Sequence, residues 1–155
     1  TAEGGRIDLW KIGMRALADN PLTGVGVGAY PIAVGLDRQS REATTQAWQT
    51  AHNSIIQIGT ETGIFGLLLY FMLNINVFNI FYQVKKRSQQ LDLVKIAEVG
   101  LVGFCGMFIA SMFLSQAYSV YWAFYVVFSA VVYQLYKEEL TNNTPPDERF
   151  HRASR

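Results

Sequence analysis

Ala51-His52-Asn53-Ser54 leads into Glu61-Thr62-Gly63-Ile64-Phe65-Gly66, and an apolar run then continues to Tyr82. The reading of this stretch decides the fold. From Ile64 the chain stays apolar for about 19 residues, close to the length at which a helix crosses a hydrocarbon core. A histidine, an asparagine, a carboxylate and two glycines stand at the mouth of that helix. Polar groups there are costly to desolvate, so they have a task or a partner. Two readings stay open from these residues alone. In one, His52 and its neighbours form a site. In the other they begin an interfacial helix, with Asn53 or Ser54 capping it and Glu61 solvated.

Downstream, a transmembrane helix is expected over 62–84, interrupted by Asn74, Asn76 and Asn79. Amides at that depth face neighbouring helices or a wet cavity, which implies a bundle larger than this chain. Lys85-Lys86-Arg87 opens a charged loop over 85–95. A second span is expected over 96–114, where Gly100, Gly103, Gly106 and Ala110 allow close helix approach. A third is expected over 118–136, with Tyr118, Tyr121, Trp122 and Tyr125 toward one end and Tyr133 and Tyr136 toward the other, as in interfacial aromatic belts. Residues 137–155, with Pro145-Pro146, read as a disordered polar tail.

Orientation follows from charge. Lys85, Lys86, Arg87 and Lys95 lie after the first span, and Lys137, Arg149, Arg152 and Arg155 lie in the tail. The link between the second and third spans, near Ser115 to Ala117, has no charge. Positive residues stay on the cytoplasmic side, so residues 1–61 are expected outside. Their five Lys/Arg and six Asp/Glu are compatible with translocation.

Composition agrees with a membrane setting. Charged residues are 16% of the 155, against roughly 25% in ordinary globular domains. Mean hydropathy is +0.15, and aromatics reach 14%. A net charge of +1 gives no case for nucleic acid, and one cysteine, Cys105, gives no disulfide or zinc framework. Residues 1–20 read as amphipathic rather than as a basic-plus-apolar signal peptide, so a membrane portion is expected upstream of them. The fold class expected is all-α membrane protein: the C-terminal part of a multi-span helical bundle, with an outer segment before three transmembrane helices.

Within that outer segment, residues 6–19 read as an amphipathic helix. Ile7, Trp10, Met14 and Leu17 make an apolar stripe, and Asp8–Lys11 and Arg15–Asp19 are spaced for weak ion pairs. Arg6 projects beside the stripe, away from the charged face, an odd place for a solubilising arginine. The alternative is a helix end whose side chain snorkels. Over 21–31, Gly24, Gly26 and Gly28 alternate. A nucleotide-binding reading fails for want of a preceding strand, and a tight permissive loop is favoured. Residues 32–50 read as an irregular surface excursion, in which Arg38 and Arg41 meet phosphate or, more ordinarily, solvent.

Three pieces, in order, resemble the C-terminal part of the O-antigen ligase and O-antigen polymerase family of bacterial inner-membrane proteins. They are Gly5-Arg6-Ile7-Asp8-Leu9-Trp10, Asn20-Pro21-Leu22-Thr23-Gly24-Val25-Gly26-Val27-Gly28-Ala29-Tyr30, and Ala51-His52-Asn53-Ser54 through Glu61-Thr62-Gly63-Ile64-Phe65-Gly66. The resemblance implies a glycosyltransferase whose periplasmic loop precedes its last spans and whose C-terminus is cytoplasmic. Its donor would be an undecaprenyl-pyrophosphate-linked glycan, and its acceptor lipid A-core or a growing glycan. His52 matches the family's His-Asn motif, and Arg6 the arginine opening Arg-x-x-x-Trp; both are expected to be catalytic. Asn53, Glu61, Arg38, Arg41 and Tyr30 are the candidates for substrate binding. The family's further arginines lie upstream of this chain, so its site would be incomplete here.

The chemistry suits these residue types. Sugar transfer from pyrophosphate needs a deprotonated acceptor hydroxyl and a stabilised leaving group. A neutral imidazole takes such a proton. A guanidinium stays charged and holds phosphate bidentately. No Asp-x-Asp or His/carboxylate cluster calls for a metal, and no cofactor is expected. Ligase, polymerase, protein O-glycosylating transferase and, outside enzymes, a transporter subunit all remain open at this point.

Overall fold

The computed structural model describes residues 5–41 and 48–143. Among the described residues the chain is all-helical, with no strand. Its helices are α1 (Arg6–Asp19), α2 (Tyr30–Ser40), α3 (Ser54–Arg87), α4 (Leu91–Ser111) and α5 (Val120–Asn143). The helices α3 and α4 are long and apolar enough to cross a membrane. In each, only 22% of the most apolar window is buried, so most of that surface is not spent on the chain's own core. The chain divides into two compact units, one of Thr1–Asn74 with Gly106–Ser119, the other of Ile75–Cys105 with Val120–Arg155.

In the first unit, α1 turns a different face inward from the one its apolar stripe predicts. Leu9, Ile12 and Gly13 are buried, whereas Ile7 and Met14 are 67% and 56% exposed. The small Gly13 decides this. A Cβ there would meet the Tyr30 ring at 2.8 Å and Thr60 Oγ1 at 2.9 Å, so α2 and α3 close down on this side. The expected pairing within α1 gives way to pairing with α2. Arg15 bonds Asp37 at 3.2 Å, and Asp8 lies 3.8 Å from Arg38.

The helix α2 itself corrects the irregular excursion expected over 32–50. Pro31 sits in its first turn, where a missing N–H costs nothing. Tyr30, Val34 and Arg38 then share one buried face at four-residue spacing. Residues 42–47 lie outside the described ones.

The second unit packs by apolar surface. Val77, Phe81 and Val84 of α3 meet Leu93, Ala97 and Phe104 of α4 and Val132 and Tyr136 of α5. Gly100 makes room for the Phe81 ring and Gly103 for the Tyr125 hydroxyl, while nothing approaches Gly106. Trp122 and Tyr125 of the expected aromatic belt pack edge-on to Phe104, at 6.4 and 5.6 Å between ring centroids. Of the three span asparagines, Asn74 is buried and donates to the Tyr70 carbonyl at 2.7 Å, whereas Asn76 and Asn79 are exposed. The helix α5 continues to Asn143, into the stretch from residue 137 expected to be a disordered tail. Residues 144–155 lie outside the described ones.

Candidate functional site

The outer motifs lock into one another through backbone. The helix α3 is broken at Gly63, whose φ of 69° and ψ of −167° are non-helical. An intact helix would bond the Ile64 amide to the Thr60 carbonyl. Here Ile64 N–H donates to the Pro21 carbonyl at 2.8 Å. The glycine loop takes up the α3 carbonyls in return. Val25 N–H donates to Thr60 O at 2.9 Å and Gly26 N–H to Glu61 O at 3.0 Å. Both approaches exclude a side chain. A Cβ on Gly24 would lie 2.4 Å from the Glu61 backbone, and one on Gly63 would lie 2.4 Å from Leu22 O. Two of the loop amides that a phosphate would need are therefore occupied by the protein's own carbonyls.

Glu61 stands two residues before this break and is 1% exposed. The solvated reading of it does not hold. Its Oε1 accepts from the Tyr30 backbone N–H at 3.2 Å, at the N-terminus of α2, and from Gln57 Nε2 at 3.4 Å. Its Oε2 accepts from the Tyr118 hydroxyl at 2.5 Å. Tyr30 is buried too, and its hydroxyl donates to Leu9 O at 2.6 Å. Burial pushes the Tyr30 phenol above its ordinary pKa, so it remains a donor. Arg38 is 3% exposed and donates to Gln49 Oε1 at 3.1 Å, with Asp8 beside it. Arg41 is half-exposed and bonds Asp37 at 3.0 Å.

His52 is exposed. Its φ of 47° makes it the only non-glycine with positive φ among the described residues. A left-handed conformation costs a residue with a Cβ about 1–2 kcal/mol. Neighbouring contacts hold it there. Before it, Ala51 is fully buried and its carbonyl accepts from Trp10 Nε1 at 2.9 Å. After it, Asn53 Oδ1 accepts from the amides of Ile55 and Ile56, both at 3.0 Å. Asn53 is thus the N-cap of α3. The His52 amide donates to Ser115 Oγ at 2.9 Å.

Arg6 is exposed at the start of α1. It lies one turn before Trp10, about 6 Å along the axis and on the same side of the helix. The Trp10 indole touches the residue preceding His52, so α1 carries Arg6 toward the histidine's end of the unit. Sequence reasoning passed over Gly13 and Thr60, and read Ser115 only as part of an uncharged link and Tyr118 only as an interfacial aromatic. Their partners lie far away in the chain, as with Thr60 Oγ1 and Gly13 O at 3.0 Å. Among the described residues, no three His, Cys, Asp or Glu side chains are gathered to hold a metal ion.

Compared with curated proteins, the chain has no match. Residues 1–71 match the family model described as O-Antigen ligase. That stretch contains Arg6, the glycine loop, α2, His52 and the break at Gly63. Over this part the chain is similar to the O-antigen ligase family, the one its motifs resemble.

Proposed function

We propose that the chain carries the C-terminal part of a glycosyltransferase active site, of the O-antigen ligase type. In this reading an acceptor hydroxyl attacks the anomeric carbon of an undecaprenyl-pyrophosphate-linked glycan. The bond from that carbon to the pyrophosphate oxygen breaks, and the carrier pyrophosphate leaves. The hydroxyl proton passes to the His52 imidazole, and Arg6 offsets charge on the pyrophosphate. A single displacement inverts the anomeric centre.

One observation carries the reading: the histidine of the matched family segment is exposed and held in a strained backbone conformation between the buried Ala51 and Asn53, the cap of α3. Strain of this kind persists where the surroundings over-determine it, and it gathers at functional sites. Tyr30, Glu61, Asn53 and Arg38 then serve by fixing the loops, and Arg41 is the substrate-binding candidate with the most solvent access.

The topology belongs to the same reading. Three spans, residues 1–61 in the periplasm and a cytoplasmic C-terminus put His52 at the outer face of the inner membrane, where a lipid pyrophosphate is available. Support comes from the 112–119 link, which bonds His52 and Ser54 and so belongs on the same side as they do.

The test uses the intact protein with lipid-linked repeat units, with and without lipid A-core. Transfer to lipid A-core that His52→Ala abolishes, and Arg6→Ala lowers at least about a hundredfold, is the expected result. Glycan growth without added acceptor assigns the polymerase reaction instead. Transfer unaffected by His52→Ala overturns the base.

A further inference from the structure

The link between α4 and α5, residues 112–119, has no part in the chemistry just described, yet it is tied to the His-Asn-Ser turn and to Glu61 by four hydrogen bonds. Ser115 Oγ accepts the His52 amide at 2.9 Å. Ser54 is fully buried; its hydroxyl donates to Leu114 O at 3.0 Å and accepts from Gln116 N–H at 2.9 Å. Further along, the Tyr118 hydroxyl donates to Glu61 Oε2 at 2.5 Å.

These bonds fall where they have the most leverage. The left-handed His52 backbone has a Cβ to accommodate and would relax toward ordinary φ if released. Trp10 secures the carbonyl of the Ala51–His52 peptide and Asn53 caps the helix after it, while the N–H of that same peptide is held from the link. The acceptor for that amide is the Ser115 hydroxyl. Ser54 fixes the link's register on both sides of Ser115, at Leu114 and Gln116. Tyr118 fastens it to the carboxylate that also holds the start of α2.

We propose that the α4–α5 link is a positioning strap for His52, in which Ser115 holds the histidine backbone, Ser54 sets the register and Tyr118 anchors the strap on Glu61. The proposal rests on the reading of His52 as the base. A small backbone rotation moves an imidazole by more than the tolerance of a proton transfer, so loss of the strap lowers turnover rather than donor affinity.

The experiment follows Ser115→Ala, Ser115→Thr and Tyr118→Phe in the intact protein in membranes. Amide hydrogen exchange at His52 is read beside kcat and KM for the lipid-linked donor. In Ser115→Ala the His52 amide is expected to exchange about tenfold faster, with kcat about tenfold lower, KM unchanged and the α3 amides still protected. Ser115→Thr keeps a hydroxyl and restores both readouts; Tyr118→Phe moves both in the same direction by less. Faster exchange with unchanged kcat, or lost kcat with unchanged exchange, overturns the strap while leaving the base standing. Transfer that survives His52→Ala overturns the base, and with it the purpose of the strap.

Discussion

The two units hold together by different physics. In the first, the closest contacts are polar and specific. Backbone amides of the glycine loop meet the carbonyls before a helix break, and Glu61, Arg38, Ser54 and Thr60 are buried with partners. In the second, the core is a stack of rings and branched side chains around Phe81 and Phe104. Buried polar groups must each find a matching partner, so they specify one arrangement, whereas apolar surface in a bilayer exchanges with lipid at little cost. A site needs atoms fixed to within a fraction of an ångström, and the candidate site lies in the polar unit.

The largest test of that contrast is Gly63→Ala. The substituent would lie 2.4 Å from Leu22 O at a φ of 69°, so backbone, not a flexible side chain, would have to yield. A loss above about 4 kcal/mol is expected, enough to deplete folded protein from the membrane, and Gly24→Ala should behave alike. Normal amounts of either variant with an unchanged melting temperature would break the contrast at its strongest point.

Next in size is Glu61→Ala. It removes the acceptor for the Tyr30 amide and the Tyr118 hydroxyl together, and each buried donor left unpaired costs about 1–3 kcal/mol. Glu61→Gln keeps one acceptor oxygen and should lose less, and thermal unfolding of the purified protein orders the three. The second unit should tolerate more. Phe81→Leu, in a fully buried position, conserves apolar character and should cost less than about 1.5 kcal/mol. Reversal of these two results would assign the stricter packing to the apolar unit.

This contrast also explains what the sequence revealed. The all-helical class and the two long apolar helices were readable because an apolar run long enough to cross a membrane shows in composition alone. The likeness to the O-antigen ligase family over residues 1–71 was readable because Arg6, the glycine loop and His52 lie in short, contiguous strings. The face that α1 buries was not, since Gly13 matters through a ring from α2 and a hydroxyl from α3, which no periodicity contains. The helix α2 was hidden because its buried face is Tyr30, Val34 and Arg38, and an arginine breaks the apolar pattern unless its partners Asp8 and Gln49 are known. For Glu61 the sequence left solvation and a binding role both open for the same reason: its partners are 31 and 57 residues away.

The smallest effect tests a buried polar clamp of the second unit. Glu139 of α5 is 3% exposed, and it accepts from the Ser88 hydroxyl at 2.6 Å and from the Gln89 amide at 2.7 Å, where the chain turns from α3 into α4. The Ser88 hydroxyl, and after it the backbone amides, hold this carboxyl below its ordinary pKa of 4.5. A carboxyl depressed on folding binds fewer protons folded than unfolded. Its stabilisation is therefore complete above the unfolded value and fades as the pH falls through the folded one. Glu139→Gln should lower the melting temperature by a few degrees near neutrality. The gap between the two proteins should stay constant down to about pH 6 and close only below 4.5. A gap that varies around neutrality would make another group responsible. A gap that persists in acid would make the clamp a matter of shape rather than charge, and the second unit would then be apolar in its energetics throughout.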